Sequence, residues 1–405
     1  MATAGEGRGK RPAMIIRAVI AVILGGWLCW QIGAMSMAAL AVRSLDPRLL
    51  VVFGTPAHPQ AGARLAQQLL ASGQAAPAAD LARAIVIADP TDDRALRVLG
   101  LATEKLGERD RGATIMRQAA ALGWRDTPTQ LWVLHDAAVR NDPITVIQRA
   151  DGLARRNRSG ELTRAVFLAA ITEPGLRAAF IESLRRQPMW RGAFFSDVRQ
   201  YLPATSAPAM EALFREMRAK SLAISAVEQL SYVARLVDLG EFEHARTFWA
   251  QAFAVPASAL ANAPYDGNFA LASARPLDAP TSPFEWMVNP DLSGTVTFGN
   301  NGLSVPADLI GGTTIASQVL VLPPGDHLLT AGIDGQASAA SAGWTLTCLP
   351  SNLELRRRLA GGAEDELTSV AFTVPDDGCA GQRLTLLSRD RLGAQTVTIG
   401  NVRVR

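Results

Sequence analysis

A 34-residue echo between Leu65 and Asn141 constrains this chain more than any other feature. Leu65, Leu99 and Val133 fall at one phase of the period, and Gly73, Gly107 and Asn141 at a second. Ala78, Gly112 and Val146 fall at a third. Helical patterning with this period means stacked helix pairs, because one pair cannot bury both faces and must lie against a neighbour. Such stacks hold other molecules and seldom carry out chemistry, so the period favours a scaffold over an enzyme before any site is considered.

The local pattern fits. Leu65, Leu69 and Leu70 line one helix face, Gly73 breaks the chain, and Leu81, Ala84, Ile85 and Ala88 line a second helix that ends at Asp89-Pro90. The next unit repeats this with Leu96, Leu99 and Gly100, a turn at Gly107, then Ile115, Met116 and Ala119. Both units resemble the tetratricopeptide repeat. That pattern places a small residue where the paired helices cross, an alanine in the second helix and a proline at the junction, and here Gly100, Ala119 and Pro90 stand there. A third unit, from about Pro128 to Arg158, has Asn141 for the turn glycine and Arg158 for the proline. A later unit meets the template at Tyr232, Leu236, Gly240, Ala245, Trp249 and Ala252, with Pro256 one residue early. Residues 161 to 222 look helical but fit poorly, and Pro174, Pro188, Pro203 and Pro208 are expected to chop them into short pieces.

The expected repeat domain spans 60–258. The stack implies a groove formed mainly by the first helix of each pair, carrying Arg94, Arg97, Glu104 and Lys105 in the second unit. Those charges are either a solvated face or a patch that binds a protein partner.

Residues 1–43 read as a basic tail and a membrane anchor. No charged residue occurs from Ala18 to Val42, and a helix needs roughly 20 apolar residues to span a bilayer. Arg8, Lys10, Arg11 and Arg17 precede it against Glu6 alone, which holds the N-terminus in the cytoplasm and sends the body outward. The expectation is a single-pass inner-membrane protein with its bulk in the periplasm. The rival is a cleaved signal peptide, since Ala39-Leu40-Ala41 has the form of a signal-peptidase site. Residues 44–59, with Pro47, Pro56 and Pro59, are expected to be a spacer lifting the body off the membrane.

Around Ala259 the composition changes. Residues 259–282 are expected to form a proline-rich linker with one early strand at Phe269–Ala272, and 283–405 a β-domain. Short alternating runs at Thr295–Phe298, Ser317–Leu322, His327–Ile333, Trp344–Cys348, Ser369–Val374, Arg383–Leu387 and Thr396–Val404 read as strands. Turn signals lie between them at Asn300-Asn301-Gly302, Pro323-Pro324-Gly325 and Asp376-Asp377-Gly378. Several short strands in so little chain predict an antiparallel β-sandwich or jelly roll.

This module is loosely similar to carbohydrate-binding jelly rolls and, through Pro283-Phe284-Glu285-Trp286 and Cys379–Leu384, to C-terminal domains of repeat proteins from bacterial polysaccharide loci. The resemblance implies a part in envelope polysaccharide biology. Trp286 and Trp344 are the aromatic platforms for a sugar face, with Asn289, Tyr265, Asp266 and Asn352 as polar neighbours in sequence. Each tryptophan has the alternative reading of a core residue. Cys348 and Cys379 are the only cysteines outside the anchor, and an oxidising compartment would let them pair; otherwise they are two buried thiols.

Catalytic constellations are missing from the sequence. His58, His135, His244 and His327 are scattered, with no His-Glu-x-x-His pair and no adjacent nucleophile. No phosphate-binding glycine loop is present, and Glu364, Asp365 and Glu366 sit in a glycine-rich stretch that reads as a solvated turn. No cofactor or metal is expected. A net charge of +3 gives no reason to expect nucleic acid. The chain therefore reads as a multidomain α + β protein: an anchor, a tetratricopeptide-like solenoid and a β-sandwich. Its expected function is a non-catalytic periplasmic scaffold for protein partners in envelope or exopolysaccharide assembly. The alternative is a carbohydrate-binding protein whose repeats serve as a spacer.

Overall fold

The computed structural model describes residues 10–44, 47–53, 55, 58–276, 278–292, 294–299, 302–335, 342–355, 368–389 and 395–405. The expected turn at Asn300-Asn301 and the acidic stretch at Glu364–Glu366 lie outside them. The chain divides into two compact units, Met1–Thr163 and Arg164–Arg405.

The first unit opens with α1 (Lys10–Ser44) and α2 (Pro47–Phe53). Over Val22–Ser44, α1 is long and apolar enough to cross a membrane. At 1.5 Å per residue that stretch covers about 35 Å, against a hydrocarbon layer of about 30 Å. The spacer expected over 44–59 is instead partly helical. Leu50 of α2 is fully buried against Ala38 and Ala41 of α1 and against Ala61. The apolar run Leu49-Leu50-Val51-Val52-Phe53 is the physical reason: an extended spacer would leave those side chains in water.

Next come α3 (Pro59–Ala71), α4 (Ala75–Ala88), α5 (Asp93–Lys105), α6 (Arg109–Leu122), α7 (Thr127–Val139) and α8 (Pro143–Arg155). Successive helices pack on one another. The helices α3, α5 and α7 begin at 59, 93 and 127, spaced by the 34-residue period. Aspartates start several of these helices: Asp92 accepts from Ala95 N at 2.7 Å, Asp126 from Thr129 N at 3.2 Å and Asp142 from Thr145 N at 3.1 Å. Each satisfies a backbone donor that the first helical turn leaves orphaned.

The first helix of each pair ends on a left-handed residue: Gly73 at φ 84°, Gly107 at φ 96° and Asn141 at φ 57°. Past each, the chain folds back through one bond, Gln74 N to Leu69 O, Glu108 N to Thr103 O and Asp142 N to Ala137 O, at 2.9, 3.1 and 2.9 Å. Asparagine tolerates this conformation better than other side chains, so Asn141 serves where glycine stood twice before. The division between the units falls inside α9 (Gly160–Thr172).

The second unit continues with α10 (Pro174–Arg185), α11 (Arg191–Tyr201), α12 (Ala207–Ala219), α13 (Ala226–Asp238), α14 (Phe242–Ala252) and α15 (Ala257–Leu260). The prolines expected to chop this stretch lie at helix starts or between helices. Pro174 and Pro208 occupy the first turns of α10 and α12, where a missing N–H costs nothing. Aromatic rings link these helices: Phe167 stacks on Trp190 with centroids 4.2 Å apart, and Phe180 meets Phe194 at 5.0 Å. Tyr232 of α13 meets Phe248 of α14 edge-on at 4.9 Å. Large aromatics fill the gaps here that small residues close in the first unit, which is why the repeat template fits so poorly.

The strand expected at Phe269–Ala272 is instead the short helix α16 (Ala270–Ser273). The Asp266 carboxylate accepts from Leu271 N and Ala272 N, each at 3.0 Å through Oδ2, and so captures donors that a strand would have offered sideways.

Beyond it lie two antiparallel sheets. One is ordered β1-β4-β8-β6, from β1 (Met287–Val288), β4 (Thr314–Leu320), β8 (Gly381–Ser388) and β6 (Ala342–Leu349). The other is ordered β2-β3-β9-β5-β7, from β2 (Thr297–Gly299), β3 (Gly302–Val305), β9 (Val397–Val404), β5 (Gly325–Asp334) and β7 (Ser369–Val374). A single buried cluster draws on both sheets, with Trp344, Leu346, Leu384 and Leu386 from the first and Leu303, Leu329, Phe372 and Ile399 from the second. Period-two alternation puts these residues on one face of each strand.

Candidate functional site

Along α3 and α5, side chains one period apart build an open groove of about 440 Å³. Gln67 pairs with Leu101, Leu70 with Glu104, and Ala71 with Lys105, each pair 34 positions apart, and Arg97 completes the lining. Of the four charges expected to mark a partner-binding patch, Arg97, Glu104 and Lys105 come together here. Arg94 does not line the groove.

Arg97 is not a free cation. Its side chain is buried, and Nε donates to Asp126 Oδ2 at 2.7 Å. The same carboxylate caps α7, so the pair bolts the middle of α5 to the head of α7. Glu104 also reaches α7, accepting from Trp132 Nε1 at 3.2 Å. These charges were expected to be either a solvated face or a partner patch; in the fold both also serve the packing of the next helix pair. Lys105 is exposed and forms no ion pair among the described residues.

One residue missed in the sequence, Gln67, lines this groove, and Arg64 lies near enough to Arg94 and Arg97 to feel their charges. Gln67 Oε1 is buried without a hydrogen-bond partner, and so is Arg64 Nε. The Arg64 guanidinium is held below its usual range by burial first, then by repulsion from Arg94 and Arg97. The period could have found Gln67, since it stands 34 positions before Leu101.

The two tryptophans proposed as sugar platforms are core residues. Trp286 and Trp344 are 2% and 1% exposed, with ring centroids 6.1 Å apart, so neither offers a face to a pyranose. Trp286 Nε1 donates to Asp266 O at 3.0 Å. Asn289 braces the turn after β1, donating from Nδ2 to Thr314 O and accepting from Asp291 N, both at 3.0 Å. Nothing matches this chain among protein-family models, curated proteins or solved structures. Cys348 on β6 and Cys379 before β8 form a disulfide, with Cα atoms 4.8 Å apart.

One polar trio was also missed. His244 Nε2 meets Glu211 Oε1 at 2.5 Å, and the Tyr232 hydroxyl lies 3.1 Å from both Glu211 Oε1 and Ala207 O. Burial, then the Glu211 charge, pushes the Tyr232 phenol well above its usual range. It remains a neutral donor tying α13 to α12. No serine, threonine or cysteine nucleophile takes part in these contacts, and the trio works as a clasp.

Proposed function

We propose that this chain is a membrane-anchored, non-catalytic scaffold whose tetratricopeptide-like repeats hold a protein partner and whose two sheets form a β-sandwich. The observation that carries this reading is the groove on α3 and α5, whose walls are three pairs of residues at the repeat period. A wall built from repeating positions extends to an elongated ligand as readily as to a compact one. Its chemistry suits a peptide: Leu70 and Leu101 offer apolar contact, Gln67 Oε1 awaits an N–H donor, and Lys105 offers an ammonium at the edge. The chain would sit in the inner membrane through α1, with its bulk in the periplasm. Its place would be in envelope or exopolysaccharide assembly, as the jelly-roll resemblance implies.

The test is photo-crosslinking in cells with a benzophenone amino acid at Gln67 or Lys105. The scaffold reading expects one defined protein adduct that Leu101→Arg abolishes. Crosslinks only to lipid, or glycan hydrolysis by the purified chain, would remove the reading.

A further inference from the structure

A second cavity, of about 390 Å³, lies wholly within the second unit, where α14 and α15 meet β4 and β9. Trp249 and Phe284 form its apolar wall, with ring centroids 5.6 Å apart. Arg246, Arg405, Asn262, Tyr265, Gln318 and His327 supply the polar groups, and no aspartate or glutamate side chain lines it among the described residues. Three features there are unexplained by folding alone.

The first is Gln318. Its side chain is buried, 1% exposed, and Nε2 donates to Tyr265 O at 2.9 Å. Its Oε1 is buried with no partner. An unsatisfied buried acceptor costs about 1–3 kcal/mol, so the site wants a donor. The second is Arg246. It spends one N–H on Leu260 O at 2.9 Å and one weakly on Val321 O at 3.4 Å. A guanidinium carries five such donors, and Arg246 makes no ion pair among the described residues. The third is the Tyr265 hydroxyl, which has no partner among them either. Burial, and then the charges of Glu285 and Asp266, hold its phenol above the usual range, so it is a neutral donor.

Together these groups ask for one ligand that brings an anion for Arg246, a hydroxyl to donate to Gln318 Oε1, and a body of one-ring size for a cavity walled by aromatics. We propose that this cavity binds a hydroxylated carboxylate of sugar size, a single hexuronic acid unit. Its carboxylate pairs with Arg246, a ring hydroxyl donates to Gln318, and a second oxygen accepts from Tyr265. Cavities of about 300–1,000 Å³ are the usual size for such ligands. The proposal is independent of the helical groove and stands or falls alone.

Titration calorimetry on the full chain in detergent micelles, with sodium glucuronate as the probe, decides it. Glucuronate is expected to bind at least about tenfold more tightly than either glucose or acetate, a difference of about 1.4 kcal/mol. Tyr265→Phe keeps the ring on Trp249 and is expected to weaken glucuronate severalfold, while Arg246→Met abolishes the preference over glucose. Should Arg246→Met fail to fold, Tyr265→Phe and the ligand comparison still decide. Equal binding of glucose would remove the role given to Arg246, and equal binding of acetate would leave a plain anion site. Either result overturns the proposal, as does the lack of any heat at millimolar glucuronate.

Discussion

A Cβ on Gly112 of α6 would lie 2.7 Å from the carbonyl oxygen of Gly100 on α5 and 2.9 Å from the amide nitrogen of Glu104. Both obstacles are backbone, which cannot swing aside as a side chain tip can. Gly100 is held the other way, since its own Cβ would meet Met116 Cγ at 2.7 Å. The two glycines let α5 and α6 approach more closely than any alanine would permit.

Gly112→Ala is therefore expected to destabilise the helical unit by about 1–3 kcal/mol, the usual cost of overpacking. Gly123→Ala is the control, because its Cβ would meet nothing within 4 Å and its backbone is extended. Urea denaturation followed by helical circular dichroism reads both. Equal stability of the two variants would show that the crossing has slack.

The Arg97–Asp126 pair makes a second prediction. With side chains only 6% and 14% exposed, removing one partner leaves a charge buried alone, at a cost of about 3–5 kcal/mol. Arg97→Met is expected in that range. The double variant Arg97→Met, Asp126→Asn should recover part of the loss, because Asn still caps α7. A double-mutant cycle on denaturation midpoints measures the coupling.

How much of this was legible in the sequence follows the strength of each local signal. Gly73, Gly107 and Asn141 announced their turns because glycine and asparagine are the residues that accept a left-handed backbone. Gln187, Ser221 and Ala254 end second helices in the same conformation, at φ 46°, 54° and 51°, and none of them carries that signature. The helices from 161 to 222 kept the architecture and lost the template, since Trp190, Phe194 and Phe214 replaced small residues at the contacts. Phe269–Ala272 read as a strand from its own composition, and a carboxylate three residues upstream made it a helix. In the groove, Arg97 and Glu104 were found by position, but their partners Asp126 and Trp132 lie about 28 residues on and only folding reveals them.

Ala254 offers a third test. It is exposed, and an alanine in the left-handed region costs about 1–2 kcal/mol, partly offset by the greater entropy that glycine loses on folding. Ala254→Gly is expected to stabilise the second unit by about 0.5–1 kcal/mol. A thermal midpoint that falls would mean that the αL backbone there is not strained.

The Cys348–Cys379 bridge closes a loop of 31 residues. Loops of this size stabilise by about 2–4 kcal/mol through the unfolded chain. Reduction, or a Cys348→Ala, Cys379→Ala variant, is expected to lower the sheet transition by that amount and to leave the helical transition of the first unit in place. Hydrogen exchange read peptide by peptide, over β4–β9 on one side and α3–α8 on the other, separates the two.

The cap on α8 predicts a dependence on pH. Hydrogen bonds from Thr145, side chain first and then backbone, hold the Asp142 carboxyl below its usual range. The unfolded carboxyl keeps a value of about 3.9. The folded state therefore binds its proton less readily than the unfolded state, and stability rises with pH across the interval between them. The contribution is complete above about pH 4 to 5 and fades as pH falls through the folded value. Since Asp142 is largely solvated, Asp142→Ala should cost only about 0.5–1 kcal/mol at pH 7. That deficit should shrink toward zero in acid, whereas Asp142→Asn keeps a neutral cap and should flatten the acid limb. Denaturation curves at pH 3 and pH 7 check both, and an Ala deficit that persists unchanged in acid would show that the carboxylate charge plays no part.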